Sequence, residues 1–170
     1  MVELIISLML WVTTVTGYPM PEKLPVIKHA SPSEIYYRQY RCSTPTKHTK
    51  EKCEDRNPGE AEKTLAIYNH HTDTIYLKDG LENMFNKNIY ESILVHELVH
   101  HMQYESDAQF DCLGQYEEDA YEIQNKFLLS RGEKGVIESL RLNELYLMMI
   151  FQCSNPNEYG WGDYPLGSKD

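Results

Sequence analysis

Between His96 and Gln103 the chain reads HELVHHMQ. On a helix, His96 and His100 are separated by about 40° of rotation and about 6 Å of rise, so both imidazoles reach one ion. Glu97 follows His96 by about 100° and flanks such an ion without ligating it. There it is suited to take a proton from a metal-activated water. His-Glu-Leu-Val-His therefore fits the HExxH pattern, and zinc takes such nitrogen donors readily. The second register fails, because His101 has Glu97 and Glu105 where a partner histidine would be needed. His101 is expected to be structural or solvent-facing. Gln103 is expected either to support His100 by a hydrogen bond or to lie at the surface.

The segment from about Asn88 to Ser106 lacks proline and glycine. Ile93, Leu94, Val95, Leu98, Val99 and Met102 leave little of its circumference polar, the pattern of a buried helix. Polar groups inside such a helix need partners. Catalytic zinc sites usually have three protein ligands and a water, so two histidines are incomplete. Downstream lies YEEDAYEIQ, Tyr116 to Gln124, on the next expected helix. An antiparallel neighbour at that spacing could return a carboxylate to the ion, from Glu117 or Glu118.

Several elements must hold these residues. Tyr18 to Pro32 carries four prolines and is expected to be extended, not helical. Ser33 to Arg41 is expected to form a short helix, and residues 42 to 62 to form loops. TLAIYNHHTDTIYL, Thr64 to Leu77, reads as a β-hairpin with Asn69 or Asp73 shaping its turn and His70 and His71 solvated at its tip. A short helical linker follows Gly80. Helices are expected at about Gly114 to Ser130 and Glu133 to Gln152, the latter with Val136, Ile137, Leu140, Leu145, Leu147 and Met148 facing a core. The tail from Asn155 to Asp170 reads as irregular.

With 170 residues, 41% of them hydrophobic, the chain suits one domain with a packed core. A formal net charge of −10 argues against nucleic acid or an anionic membrane as its main partner. The apolar run from Leu4 to Val12 passes into Val15 and Gly17, as in a cleaved secretory signal, although Glu3 is unusual there. That places a signal peptide at residues 1–17 and a single domain at 18–170, with no stable membrane span. A buried N-terminal helix is the competing reading. Cys42, Cys53, Cys112 and Cys153 form no CxxC pair, so two disulfides in a secreted or periplasmic protein are expected. The favoured pairing is Cys42–Cys53 with Cys112–Cys153.

HELVHH followed by EEDAY resembles the HExxH zinc metallopeptidases of the gluzincin type, including their minimal, small secreted bacterial members. The likeness covers residues 64 to 130. It implies an α+β, zincin-like fold, mainly helical, with a small hairpin or sheet packed on the active-site helix. It also implies Zn²⁺ held by His96, His100 and Glu117. Glu117 fits the third ligand because Ala120 stands at +3 and Tyr121 at +4, whereas Glu118 would place Tyr121 at +3. Glu97 would be the general base and a peptide or protein the substrate, paired along the edge of the TIYL strand. Tyr121 departs from the Asp or Asn that buttresses a ligand histidine in that group. Tyr104, Tyr121 and Tyr159 match its oxyanion-stabilising residue by type only. A metzincin site would need a glycine and a third histidine soon after His100, and HMQYESDAQFD lacks both. A zinc-binding or interaction module without turnover is the alternative function.

Overall fold

The prolines of the lead-in keep it extended, and the chain uses that extension as a strand. A computed structural model describes residues 1–39 and 63–153. In it, β1 spans Val26–Ala30, β2 Ala66–Asn69 and β3 Thr74–Lys78. β2 and β3 form the expected antiparallel hairpin, and β1 pairs with β3 in parallel. Asn69 Oδ1 accepts from the His71 amide at 3.1 Å, and Asp73 is left-handed at φ 45°, so both residues shape the turn.

The sheet order is β1-β3-β2, which corrects one expectation. TIYL is the central strand, with both of its edges hydrogen-bonded, so it offers none to a peptide. Among the described residues, the outer strands of this sheet are β1 and β2. Lys78 N–H donates to the Leu65 carbonyl, and antiparallel alternation then turns the main-chain groups of Ala66 and Tyr68 away from β3. Successive side chains of β3 serve two layers. Ile75 and Leu77 enter the main core. Tyr76 packs on the other face with Ile35 and Ala30, where α2, Pro32–Gln39, covers the sheet.

The main core forms around the HELVH helix. α1 spans Val2–Thr16, α3 Leu81–Met84, α4 Lys87–Glu105 and α5 Leu113–Ser130. Asn86 caps α4 by accepting from the Ile89 amide. α4 is buried nearly all round, as its sequence predicts, because β2, α1, α3 and α5 all pack on it. Ser92, one of its interior polar groups, finds a partner: Gln124 Nε2 donates to Ser92 Oγ at 3.3 Å. Residues 1–17, where a signal segment is expected, form α1 and end at left-handed Gly17. Ile5, Leu8, Met9 and Val12 are buried, and Trp11 meets Phe127 edge-on at 5.1 Å between centroids. No described helix is long and apolar enough to cross a membrane.

The expected last helix is two short ones, α6 at Val136–Leu140 and α7 at Glu144–Ile150. Arg141 is left-handed at φ 53°, and Asn143 restarts the chain by accepting from the Leu145 and Tyr146 amides. The core-facing pattern expected there is also corrected. Val136 and Leu147 are buried, but Leu145 and Met148 are 69% and 58% exposed. Cys112 and Cys153 are joined in a disulfide that ties the start of α5 to the end of α7. The pairing expected for Cys42 and Cys53, the loops of 42–62 and the tail lie outside the described residues.

Beside that disulfide, Gly114 is a close-approach position, because a Cβ there would run into the main-chain carbonyl of Phe151. Gly114→Ala is expected to destabilise the fold by about 1–3 kcal/mol, read as a lower denaturation midpoint. An unchanged midpoint would show that the Phe151 turn yields freely.

Candidate metal centre

α4 and α5 bring His96, His100 and Glu117 together. The two Nε2 atoms are 3.1 Å apart; Glu117 Oε2 lies 3.5 Å from that of His96 and Oε1 3.5 Å from that of His100. Donors about 2.0–2.1 Å from a tetrahedral zinc stand about 3.3 Å from one another. With one donor atom from each residue the three lie within 4.8 Å of one another, close enough to converge on one ion, and two imidazoles and a carboxylate suit zinc. It is the one such cluster among the described residues. Glu118, the alternative ligand, lies one residue round α5 and lines a shallow surface recess with Phe110, Gln115, Asp119 and Glu122.

The electrostatics follow from packing. Burial alone would lower the basicity of His100, but the Glu117 carboxylate outweighs it and pushes the pKa up to about 9. Burial alone would raise Glu117, yet the His100 and His96 imidazoles hold its carboxyl well below the usual carboxylate range. Without a metal, His100 and Glu117 thus form an ion pair. Glu97 is 6% exposed. Burial raises its pKa, opposed by the neighbouring imidazoles and by a hydrogen bond from the Tyr68 amide. That amide belongs to the outward-turned groups of β2.

The supports of the two histidines differ. His100 Nδ1 meets Gln103 Oε1 at 2.9 Å. Gln103 is 1% exposed, so the surface reading of this residue does not hold. His96 Nδ1 has no hydrogen-bond partner among the described residues. Its ring instead packs edge-on against Tyr121, 4.5 Å between centroids, an aromatic contact in place of a polar one. Burial, then Glu117, raises the Tyr121 phenol and keeps it protonated. Tyr104 sits against His70, and Tyr159 lies outside the described residues.

His101 is fully buried and structural. Its Nδ1 meets Tyr68 Oη at 3.1 Å and its Nε2 the Lys23 carbonyl at 3.0 Å, while Tyr68 Oη donates to Asp73. It thereby ties the lead-in and the hairpin to the back of α4. His70 is not the solvated tip residue expected. It is 9% exposed, with its ring 4.0 Å from that of His71 and 5.2 Å from that of Tyr104, between centroids. Sequence reasoning missed Asp119 and Tyr18, which stand behind Gln103. They come from separate segments and carry no local signal.

Fold and site define an α+β protein whose buried helix presents two imidazoles and, with its neighbour, a carboxylate to a common point. The chain belongs to the family described as a domain of unknown function, DUF6647, whose profile matches residues 1–157. No curated protein and no solved structure matches the chain.

Proposed function

We propose that the protein is a zinc-dependent peptidase of zincin-like architecture. The carrying observation is the convergence of one donor atom each from His96, His100 and Glu117 within 4.8 Å, with the buried Glu97 beside them. A site that only stored zinc would not need Glu97, whose burial carries an electrostatic cost. When bound, zinc supplies a Lewis acid that acidifies water and polarises a scissile carbonyl. Glu97 is the proton carrier: its raised pKa suits it to take a proton from the attacking water and return it to the leaving amine. The Tyr68 amide fixes the orientation of that carboxylate. Tyr121, kept protonated beside His96, is better placed than Tyr104 to donate a hydrogen bond to the developing oxyanion.

The strand edge bordering Glu97 is the outer edge of β2, so an extended peptide substrate would add there, next to Ala66, by main-chain pairing. The disulfide Cys112–Cys153 supports an oxidising, secreted or periplasmic setting. The purified protein is expected to hold one zinc per chain and to cleave members of a mixed peptide library. Cleavage should stop on chelation and return with added zinc. Stoichiometric zinc without cleavage would leave a zinc-binding module, and protein without stoichiometric metal would remove both readings.

A further inference from the structure

His100 is backed by a chain of hydrogen bonds that leaves the metal centre and ends on the lead-in. Gln103 Nε2 donates to Asp119 Oδ2 at 2.9 Å and to the Tyr116 carbonyl at 3.2 Å. Both partners are acceptors, so they fix which way the amide points: its NH₂ faces them and its oxygen faces His100. An amide oxygen only accepts, so the hydrogen of this 2.9 Å contact sits on His100 Nδ1. A neutral His100 therefore keeps its lone pair on Nε2, the atom that faces His96 and Glu117. Asp119 is held in turn by Tyr18, whose hydroxyl donates to the same Oδ2 at 2.8 Å. A few residues on, the Lys23 carbonyl is bound by His101. The segment from Tyr18 to Lys23 is thus fastened to both sides of the C-terminal half of α4. His96, by contrast, is held by ring packing.

We propose that Gln103, backed by Asp119 and Tyr18, is a positioning residue that holds His100 in its metal-binding tautomer and makes metal affinity depend on the docked lead-in. This rests on the reading of His96, His100 and Glu117 as a zinc site. Outer partners of this kind typically contribute about 10–100-fold to metal affinity.

The test is zinc affinity of the full chain, measured by competition with a chromophoric chelator. Gln103→Met keeps the length of the side chain and removes both donor and acceptor, so zinc should bind about 10–100-fold more weakly. The double variant Gln103→Glu/Asp119→Asn reverses the bond between 103 and 119 and keeps the one to His100. The carboxylate introduced at 103 still accepts from His100, and the amide introduced at 119 donates to it, so part of the lost affinity should return although the Tyr116 carbonyl loses its donor. A purely structural role would lower thermal stability in Gln103→Met without this recovery of affinity. If Gln103→Met does not fold, Tyr18→Phe, which removes only the outermost hydroxyl, should still weaken zinc severalfold. Wild-type affinity in Gln103→Met or, failing that variant, in Tyr18→Phe would overturn the positioning role while leaving the zinc site standing. A double variant as weak as Gln103→Met would also overturn it. Failure of the wild-type chain itself to bind zinc would overturn both.

Discussion

Replacing Glu97 with Gln is expected to leave one zinc per chain and to lower peptide cleavage by about 10²–10⁴-fold. The candidate ligand atoms belong to His96, His100 and Glu117, so the substitution touches none of them. Glutamine has nearly the same shape, and its oxygen can still accept from the Tyr68 amide. What it cannot do is take a proton from water and pass it on. Burial makes the charged form of Glu97 costly, so an uncharged replacement should not lower thermal stability. The decisive comparison is metal content against turnover in the same preparation. Full turnover in Glu97→Gln would remove Glu97 from the chemistry, and loss of zinc along with turnover would make the residue structural.

Local features were legible in the sequence where one element carries all the information. The four-residue spacing of His96 and His100, the all-round apolarity of α4 and the hairpin from Ala66 to Lys78 depend on periodicity within a short stretch. That a carboxylate of α5 could approach the two histidines was legible because α4 and α5 are consecutive, and consecutive helices joined by a short turn pack against each other; the preference for Glu117 over Glu118 rested on the resemblance alone. Contacts between distant segments were not legible. β1 is a strand only because it finds β3 across the intervening α2 and β2, and that pairing is what moves TIYL to the centre of the sheet. The role of Gln103 depends on Asp119 from the next helix and on Tyr18 from the other end of the chain. The break between α6 and α7 was missed for a different reason. Its signal is local, an asparagine before Glu144-Leu145 acting as an N-cap, but it sits inside a run of leucine and methionine that reads as one continuous helix.

The choice between Glu117 and Glu118 has the other large expected effect, since neighbours on a helix point about 100° apart and only one can serve the ion. Glu117 Oε1 and Oε2 each approach one of the imidazoles at 3.5 Å, while Ala120, one turn on, is fully buried and seats this face of α5 in the core. Glu118 lines the surface recess instead. Glu117→Ala should therefore weaken zinc by more than the about 10–100-fold expected for an outer partner, and Glu118→Ala should leave affinity unchanged. A second readout needs no metal. The Glu117 carboxylate is what holds His100 up at about 9 against a burial effect of opposite sign. Removing it should drop the His100 titration, followed by NMR in the metal-free protein, well below that value, while Glu118→Ala should leave it in place. If Glu118→Ala lost the zinc and lowered His100 while Glu117→Ala did neither, the third ligand would be Glu118, and α5 would have to sit rotated by about 100° from the packing that buries Ala120, Ile123 and Phe127.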